Sequence, residues 1–352
     1  MKNNKTNFEK SRRDFLKKTS AGLIGAALLG NIPVSLANSF SPFETLKSKV
    51  VLVRHSKVVD QEGNVNLEIL AEMLETALTS FNNGKNSADL WNKLFIPKDI
   101  IGIKVNLLGL NSIAGSSSVK HYAAMIDTVL RSAGNAGLIS ENFIVWDRNN
   151  DEFNGSGLRI QKEIGKTKYY GTLATKNDDI DAVFSAEVKA GEKFTRISKI
   201  LTESCTALIN MPVIKDHGLA GITGALKNHY GTINNPRDFH SNNCTTPGIP
   251  EINALHQIRS KQKLIIVDAL IALFNGGPRW NRDYMWNYGG ILVSTDPVAI
   301  DRIMFGIINE KRQAEGMNLI SENTAKHINL SAGLKLGTDV LSEIDFQKIE
   351  LG

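Results

Sequence analysis

The residues best suited to chemistry lie in one segment near the middle of the chain. Residues 210–231 contain two lysines, two histidines and four glycines. Lysines attract an anion, histidines exchange protons near neutral pH, and glycines let the backbone approach a ligand closely. The segment therefore predicts a site for a small anionic ligand, with His217, His229 and Lys215 as candidate catalytic groups.

Further candidates for ligand binding combine positive charge, amide groups and flexible backbone. A lysine and an asparagine beside a glycine-rich turn can hold an oxyanion. The spacing matches neither the phosphate-binding loop of nucleoside triphosphatases nor the dinucleotide-binding glycine pattern. The candidate substrate-binding residues are Lys104, Asn106, Lys227, Asn228, Gly276 and Gly277.

A metal site is a second hypothesis for the same region. Imidazole and carboxylate ligands suit a divalent transition metal, although the spacings match no zinc signature. The alternative is that these histidines are separate, hydrogen-bonded side chains. An iron–sulfur cluster is not expected, because the chain has two cysteines and such clusters normally use four thiolates. The candidate metal ligands are His217, His229, His240 and Asp268.

Short β-branched runs alternate with helix-length segments along the chain, which predicts an α/β fold with a mainly parallel sheet flanked by helices. We expect a single domain over 38–352, with residues 149–200 forming an irregular, polar inserted subregion. The predicted strands are 50–53, 100–105, 143–146, 207–210, 264–267 and 291–293, and the predicted helices are 66–81, 118–132 and 297–305. Ser117 or Ser118 is expected to cap the second helix, and Asp296 the third.

Polar residues follow each predicted strand. In an open parallel sheet the strand ends share one edge, where ligands bind. We therefore expect these residues to converge on one crevice, although polar residues are common in any loop. They are Arg54 and His55, Lys104 and Asn106, Asp147 and Arg148, Lys215 to His217, Asp268, and Ser294 with Asp296.

The N-terminus has the layout of an export leader. Arg12 and Arg13 precede a short apolar run over 21–29, and a small-x-small cleavage signal ends at Ala37. This order predicts a twin-arginine signal peptide over 1–37, so the export machinery is an expected partner and the periplasm an expected location. The apolar run is shorter than the roughly 20 residues of a membrane span, so no span is expected after cleavage.

The charge of the chain argues against a nucleic-acid partner. Residues 1–37 carry seven basic and two acidic residues, a surplus equal to the whole net charge of +5. The remainder keeps 34 of the 41 basic and 34 of the 36 acidic residues, so it is neutral. No run of lysine and arginine is left to follow a phosphate backbone.

Several motifs together resemble the domain of unknown function 362 family. They lie at residues 103–106, 209–217, 224–231, 267–269, 276–278 and 294–301, and the resemblance runs from about residue 50 to 308. The family often has threonine where this chain has Asp216, whereas Lys215 and His217 fit. Some relatives carry a ferredoxin-like cysteine segment that is absent here. The resemblance implies the fold and the strand-edge site, but no substrate.

These observations suggest an exported, cofactor- or metal-dependent enzyme that acts on a small anionic substrate. The lysines would neutralise the anion, Asn106 and Asn228 would orient it, and His217 or His229 would act as general acid or base. Asp268 would orient a histidine or bind the metal. One alternative is a periplasmic binding or metal-handling protein without catalysis. Another, by analogy alone, is a proton-transfer enzyme comparable to nickel-dependent lactate racemase.

Overall fold

The computed structural model describes residues 47–113 and 119–352, and residues 47–352 form one compact unit. The predicted leader over 1–37 and the predicted serine cap at 117 or 118 lie outside the described residues. The strands are β1 (Ser48–Arg54), β2 (Ile101–Lys104), β3 (Phe143–Asn149), β4 (Lys168–Leu173), β5 (Phe184–Ala190), β6 (Lys193–Ser198), β7 (Ala207–Asn210), β8 (Val213–His217), β9 (Gly221–Thr223), β10 (Gln262–Leu273), β11 (Met285–Ser294) and β12 (Ile344–Glu350).

Helices flank the sheet, and α1, α2, α5 and α9 begin at a residue whose side chain caps the helix. Asn66 caps α1 by accepting hydrogen bonds from the backbone N–H groups of Glu68 and Ile69. The helices are α1 (Leu67–Phe81), α2 (Ser87–Leu94), α3 (Lys120–Asn135), α4 (Asn150–Ser156), α5 (Ile180–Val183), α6 (Ala225–Asn228), α7 (Ile249–Ala254), α8 (His256–Arg259), α9 (Pro297–Ala314) and α10 (His327–Gly333). Among the described residues, no helix is both long enough and apolar enough to cross a membrane.

The expected α/β fold is confirmed. The main sheet has ten strands, eight of them in the order β12-β1-β11-β10-β7-β2-β3-β4, with β8 and β9 attached beside β10. Most pairs are parallel, and β11 runs antiparallel to both β1 and β10. Within residues 149–200, β4 joins this sheet and β5 pairs with β6 in a separate two-stranded sheet.

Two apolar clusters cover the two faces of the sheet, because side chains alternate along each strand. Leu208 and Trp146 belong to the cluster on one face, here called the site face. Ile103 and Ile209 belong to the cluster on the opposite face, which packs against α1 and α3. Strands buried on both faces are typical of a parallel α/β sheet.

The long strand β10 explains how distant motifs come to one edge. The first part of β10 pairs with β7. The later part of β10 extends past the end of β7 and pairs there with β8. Strand β8 therefore carries Lys215 and His217 beyond the ends of β2 and β7. The antiparallel pair β8–β9 then leads directly into α6, which bears Lys227 and Asn228.

Candidate functional site

A cavity of about 320 Å³ lies at the carboxyl ends of β2, β3 and β8. Five of the predicted catalytic and substrate-binding residues line it, namely Lys104, Asn106, His217, Lys227 and Asn228, together with the predicted metal ligand His240 and the predicted strand-end residues Asp147 and Arg148. The other lining residues are Leu108, Asn149, Glu152, Thr223, Tyr230, Gly231, Pro236, Arg237 and Pro278. Strand ends and the α6 region thus form one concave site.

A buried ion pair forms one part of the cavity wall. Lys104 Nζ donates hydrogen bonds to Asp147 Oδ1 at 2.7 Å, to the Val105 carbonyl at 2.7 Å and to Asn228 Oδ1 at 3.3 Å. Asp147 also accepts from the backbone N–H groups of Leu107 and Arg148, each within 2.8 Å. Because both charges are satisfied, this pair is a fixed element of the site.

Gly231 allows the backbone to pass directly over this ion pair. A Cβ atom at this position would lie 2.6 Å from Lys104 Nζ and 2.9 Å from Asp147 Oδ1. Gly231→Ala should therefore displace the pair and lower the free energy of unfolding by about 1–3 kcal/mol, the usual cost of overpacking. Urea denaturation measures this loss.

Gly134→Ala is the matched control, since Gly134 lies in α3 and a Cβ there would have nothing within 4 Å. That substitution should stabilise the protein by about 0.5–1 kcal/mol, because alanine favours a helix over glycine. Equal effects of the two substitutions would contradict the proposed close approach at Gly231.

Three asparagine amides hold the ion pair and the cavity wall together. Asn228 Nδ2 donates to the Lys104 carbonyl at 3.0 Å and to Asn210 Oδ1 at 2.8 Å. Asn106 Nδ2 approaches Asn228 Oδ1 at 3.4 Å. Both amide hydrogens of Asn228 are used in these bonds, so Asn228 holds the wall in place, whereas Asn106 keeps one N–H that is not used in them.

Lys215 lies just behind the cavity wall and does not line the cavity. Its ammonium group donates to Asn106 Oδ1 at 3.2 Å and to the Leu108 carbonyl at 3.1 Å. Burial lowers its pKa to about 8, against the opposing effect of Asp147. The role that the geometry gives Lys215 is support of Asn106.

Lys227 is the least compensated charge of the cavity. Its Nζ lies 3.4 Å from the centre of the Tyr230 ring, a cation–π contact, and no hydrogen bond or ion pair joins it to another described residue. Burial is the main cause that lowers the pKa of Lys227 to about 7. An ammonium group in this setting is available to an anionic ligand.

The charge balance of the cavity is positive. Four basic side chains face two carboxylates among the described lining residues, namely Lys104, Arg148, Lys227 and Arg237 against Asp147 and Glu152. Two lining atoms, Arg148 Nε and Thr223 Oγ1, are buried without a hydrogen-bond partner among the described residues. Unpaired buried polar atoms are costly, so a polar ligand would satisfy them.

Glu152 is a titratable group that the sequence analysis missed. It lies on α4, inside the segment expected to be irregular, and lines the cavity. Burial, followed by the nearby Asp147, raises its pKa to about 7. The other unpredicted lining groups, Thr223, Tyr230 and Arg237, lie in or near the glycine-rich segment, so a search of its flanks could have found them.

His217 lines the cavity, but one of its two ring nitrogens is already hydrogen-bonded to the backbone. Its Nδ1 accepts hydrogen bonds from the backbone N–H groups of Leu219 and Ala220 at 3.1 and 3.2 Å. Burial, and then the charge of Lys227, lower its pKa to about 2. The neutral ring therefore carries its proton on Nε2 and acts as a hydrogen-bond donor, so it is unsuited to be a base.

His240 has the opposite arrangement. Its Nδ1 donates to the Pro236 carbonyl at 2.7 Å, which leaves Nε2 as an acceptor when the ring is neutral. The centres of the His217 and His240 rings are 6.3 Å apart. The cavity thus contains one imidazole donor and one imidazole acceptor.

His229 and Asp268 do not reach the cavity. His229 points into the protein, where its Nε2 donates to Gln262 Oε1 at 2.9 Å. Asp268 lies two residues after Ile266 on β10, so both side chains are on the face of the sheet opposite the cavity. There Asp268 accepts a hydrogen bond from His121 Nδ1 at 2.7 Å. Within the described part of the chain, no three His, Cys, Asp or Glu residues are grouped to hold a metal ion. The expected ligand set of His217, His229, His240 and Asp268 is therefore not assembled.

Gly276 and Gly277 also lie outside the cavity lining. The Gly277 N–H donates to Asp216 Oδ1 at 2.8 Å, and a Cβ at Gly277 would lie 2.0 Å from the Asp216 carbonyl oxygen. Gly276 has a positive φ of 83°, which favours glycine in a turn. These glycines allow a close approach of two backbone segments.

Two of the expected strand-end pairs lie elsewhere. Ser294 ends β11, which runs antiparallel to β10. Ser294 and Asp296 therefore lie at the amino ends of the parallel strands, away from the cavity. Asp296 there caps α9 by accepting from the N–H groups of Val298 and Ala299, as expected. Arg54 ends β1, beyond β11, and pairs with Glu350.

The fold and the cavity define an α/β protein with a polar cavity at the ends of its parallel strands. Residues 101–306 match the family model described as Domain of unknown function (DUF362), which covers more than half of the chain. The chain belongs to this family. The matched residues include Lys104, Lys215 and Lys227.

No curated protein matches the chain. One similar solved structure is a structural-genomics crystal structure of a protein from Thermotoga maritima, which is 13% identical with a TM-score of 0.36. The match covers 78% of this chain and 61% of the Thermotoga maritima chain, so this chain spans less than two thirds of that protein.

Proposed function

We propose that this protein is an enzyme that binds a small carboxylate or phosphate in the strand-end cavity and transfers a proton there. The observation that carries the proposal is the surplus of basic groups around a cavity of about 320 Å³, with the Lys227 ammonium free of any described anionic partner. A buried positive charge without a partner is unfavourable, so an anionic ligand would be strongly preferred over water at this position.

Proton transfer is supported by two groups of the same cavity. Lys227 and Glu152 both have a pKa of about 7, and both line the cavity. A group with a pKa near working pH can accept and donate protons with similar ease. His217 Nε2 would then bind and orient the substrate, and the base would not be His229, which points away from the cavity.

A binding survey followed by an exchange experiment tests both parts. Thermal shift and calorimetry with phosphate, oxalate, glycolate and citrate would identify the anions that bind. Each binder would then be incubated with the protein in D₂O and followed by proton NMR. We expect exchange of a carbon-bound proton next to a carboxylate, or another conversion. Tight binding with neither result would favour the alternative, a binding protein without catalysis.

The pH dependence of binding follows from the depressed pKa of Lys227. The ligand-free protein holds Lys227 protonated below pH 7 and loses that charge above it, while Glu152 gains negative charge over the same range. Loss of the Lys227 proton alone should lower the affinity about tenfold per pH unit above 7, and ionisation of Glu152 should add to that fall. Calorimetry with oxalate from pH 6 to pH 9 measures this, and a constant affinity would contradict the assignment.

We further propose that the protein is exported in its folded state by the twin-arginine route. The support is the order of Arg12, Arg13, the apolar run over 21–29 and Ala37. Arg12→Lys with Arg13→Lys should retain the precursor in the cytoplasm, as cell fractionation would show. Continued export of that variant would overturn this part of the proposal.

A further inference from the structure

Apart from the buried ion pair, the basic residues that line the cavity form two groups. Lys227 lies on α6, where its Nζ contacts the Tyr230 ring. Arg148 lies near the end of β3, and Arg237 belongs to the short turn Pro236–Phe239. Both arginines line the same cavity as Lys227.

The two arginines are held beside each other by the segment that leads into this turn. Arg148 Nη2 donates to the Asn234 carbonyl at 2.7 Å, three residues before Arg237. Burial lowers the pKa of Arg148, and Asp147 and Arg237 are the nearby charges with the largest opposing and reinforcing effects. Arg148 Nε is buried without a hydrogen-bond partner among the described residues. These two residues, here called the arginine pair, can therefore bind an anion.

His240 lies between the arginine pair and Lys227. The His240 ring is edge-on to the Tyr230 ring at 5.3 Å, and Lys227 contacts that same Tyr230 ring. On its other side, His240 Nδ1 donates to the Pro236 carbonyl, next to Arg237. Burial lowers the pKa of His240, and the charges of Lys227 and Arg237 lower it further. The main charges that shift the pKa of Lys227 do not include either arginine. The cavity therefore has two separate positive positions.

The charge balance of the lining residues favours two anionic groups. Four basic side chains face two carboxylates, so the described lining has a surplus of two positive charges when all six groups are ionised. A ligand with one carboxylate would leave one of these charges uncompensated, which is unfavourable away from water. The cavity volume of about 320 Å³ is at the lower end of the roughly 300–1,000 Å³ of ligand pockets. It therefore suits one small molecule that carries both groups.

We propose that the ligand is a small dianion, with one carboxylate or phosphate at Lys227 and a second one at the arginine pair. This inference rests on the proposed function and narrows its substrate to a short-chain dicarboxylate or a phosphorylated carboxylate. Arginine binds such a group through two parallel hydrogen bonds. The arginine pair therefore fixes one end of the ligand, and the ammonium group of Lys227 holds the other end.

Calorimetry at pH 6.5 with succinate and succinamate tests the second anionic position. The two molecules have the same length, but succinamate carries an amide in place of one carboxylate. Succinate should bind about 10–100-fold more tightly, because charge-assisted hydrogen bonds are stronger than those of a neutral amide. A third probe, 3-phosphonopropionate, distinguishes the two kinds of dianion. Tighter binding than succinate identifies a phosphorylated carboxylate, and weaker binding identifies a dicarboxylate.

Arg237→Met tests the position of the second group, since the exposed Arg237 side chain makes no hydrogen bond or ion pair with another described residue. The substitution should lower the affinity for succinate about tenfold and leave that for succinamate nearly unchanged. Arg131→Met is the matched control, because it removes an exposed arginine from α3, away from the cavity, and it should change neither affinity.

Two outcomes separate this inference from the proposed function on which it rests. Equal binding of succinate and succinamate, with both lost in Lys227→Met, overturns the dianion inference and leaves the anion site in place. If the wild type binds none of succinate, succinamate and oxalate, the proposed function itself is wrong.

Discussion

Replacing Lys227 by methionine should abolish anion binding and, at the same time, stabilise the ligand-free protein. Lys227 is 7% exposed, and its ammonium contacts the Tyr230 ring but makes no hydrogen bond or ion pair with another described residue. Burial of this charge without a carboxylate is unfavourable in the absence of ligand. Methionine has a similar length and requires no such compensation.

The expected loss of affinity is at least about 100-fold, because removal of a charge-assisted contact in a buried site costs roughly 3 kcal/mol or more. The expected gain in the free energy of unfolding is about 1–4 kcal/mol, as when other buried charges are replaced by apolar groups. Calorimetry with oxalate measures the affinity, and thermal denaturation without ligand measures the stability.

The pH dependence of the stability gain provides an independent check on Lys227. Its pKa is about 7 in the folded protein and 10.5 without burial. Between these values the unfolded chain binds more protons, so the stability of the wild type rises with pH. Methionine does not titrate, so the advantage of Lys227→Met should be largest below pH 7 and should shrink towards pH 10.

The control for this experiment is Lys85→Met, which removes a charge from an exposed position. It should change neither oxalate affinity nor stability by a measurable amount, since isolated surface charges contribute little. If Lys227→Met binds oxalate as tightly as the wild type does, the cavity is not the anion site. If Lys227→Met binds oxalate weakly but is also less stable than the wild type, the buried Lys227 charge does not destabilise the ligand-free protein, and that part of the prediction is wrong.

Residues that end parallel strands were the most predictable part of the site. Lys104 at the end of β2, Asn106 just after it and His217 at the end of β8 meet because the parallel strands of one sheet end at the same edge. Lys227 and Asn228 join them because the short pair β8–β9 turns the chain back over that edge. These residues could be predicted because polar residues directly follow apolar strands in the sequence and because parallel strands end at one edge of a sheet.

The wrong expectations have physical causes that a single sequence does not show. The sequence predicts a strand end at Asp268, but β10 continues to Leu273, and the alternation of side chains along it places Asp268 on the opposite face of the sheet. The expectation for Ser294 is wrong because an apolar strand sequence does not show whether the strand runs parallel or antiparallel to its neighbours, and β11 runs antiparallel to β10. Glu152 is missed because residues 149–200 are expected to be irregular, whereas α4 directly follows β3 and brings Glu152 near the Asp147 carboxylate.

Breaking the buried ion pair between Lys104 and Asp147 should cause the largest loss of stability. Their side chains are 1% and 7% exposed, and their charged atoms are 2.7 Å apart. Asp147→Asn would leave the Lys104 charge buried without a partner and would weaken the two backbone hydrogen bonds that Asp147 accepts. We expect a loss of about 3–5 kcal/mol in the free energy of unfolding, measured by urea denaturation.

Two further variants separate the ion pair from ordinary side-chain loss. Glu163→Gln breaks the exposed pair between Lys166 and Glu163 and should cost less than about 1 kcal/mol, because surface pairs contribute little. The double variant Lys104→Met with Asp147→Leu removes both buried charges and should recover much of the stability lost in Asp147→Asn. It should still fail to bind oxalate, since the cavity wall then lacks its fixed charges. If Asp147→Asn costs no more than Glu163→Gln, the pair does not fix the wall, and the asparagine amides alone must hold it in place.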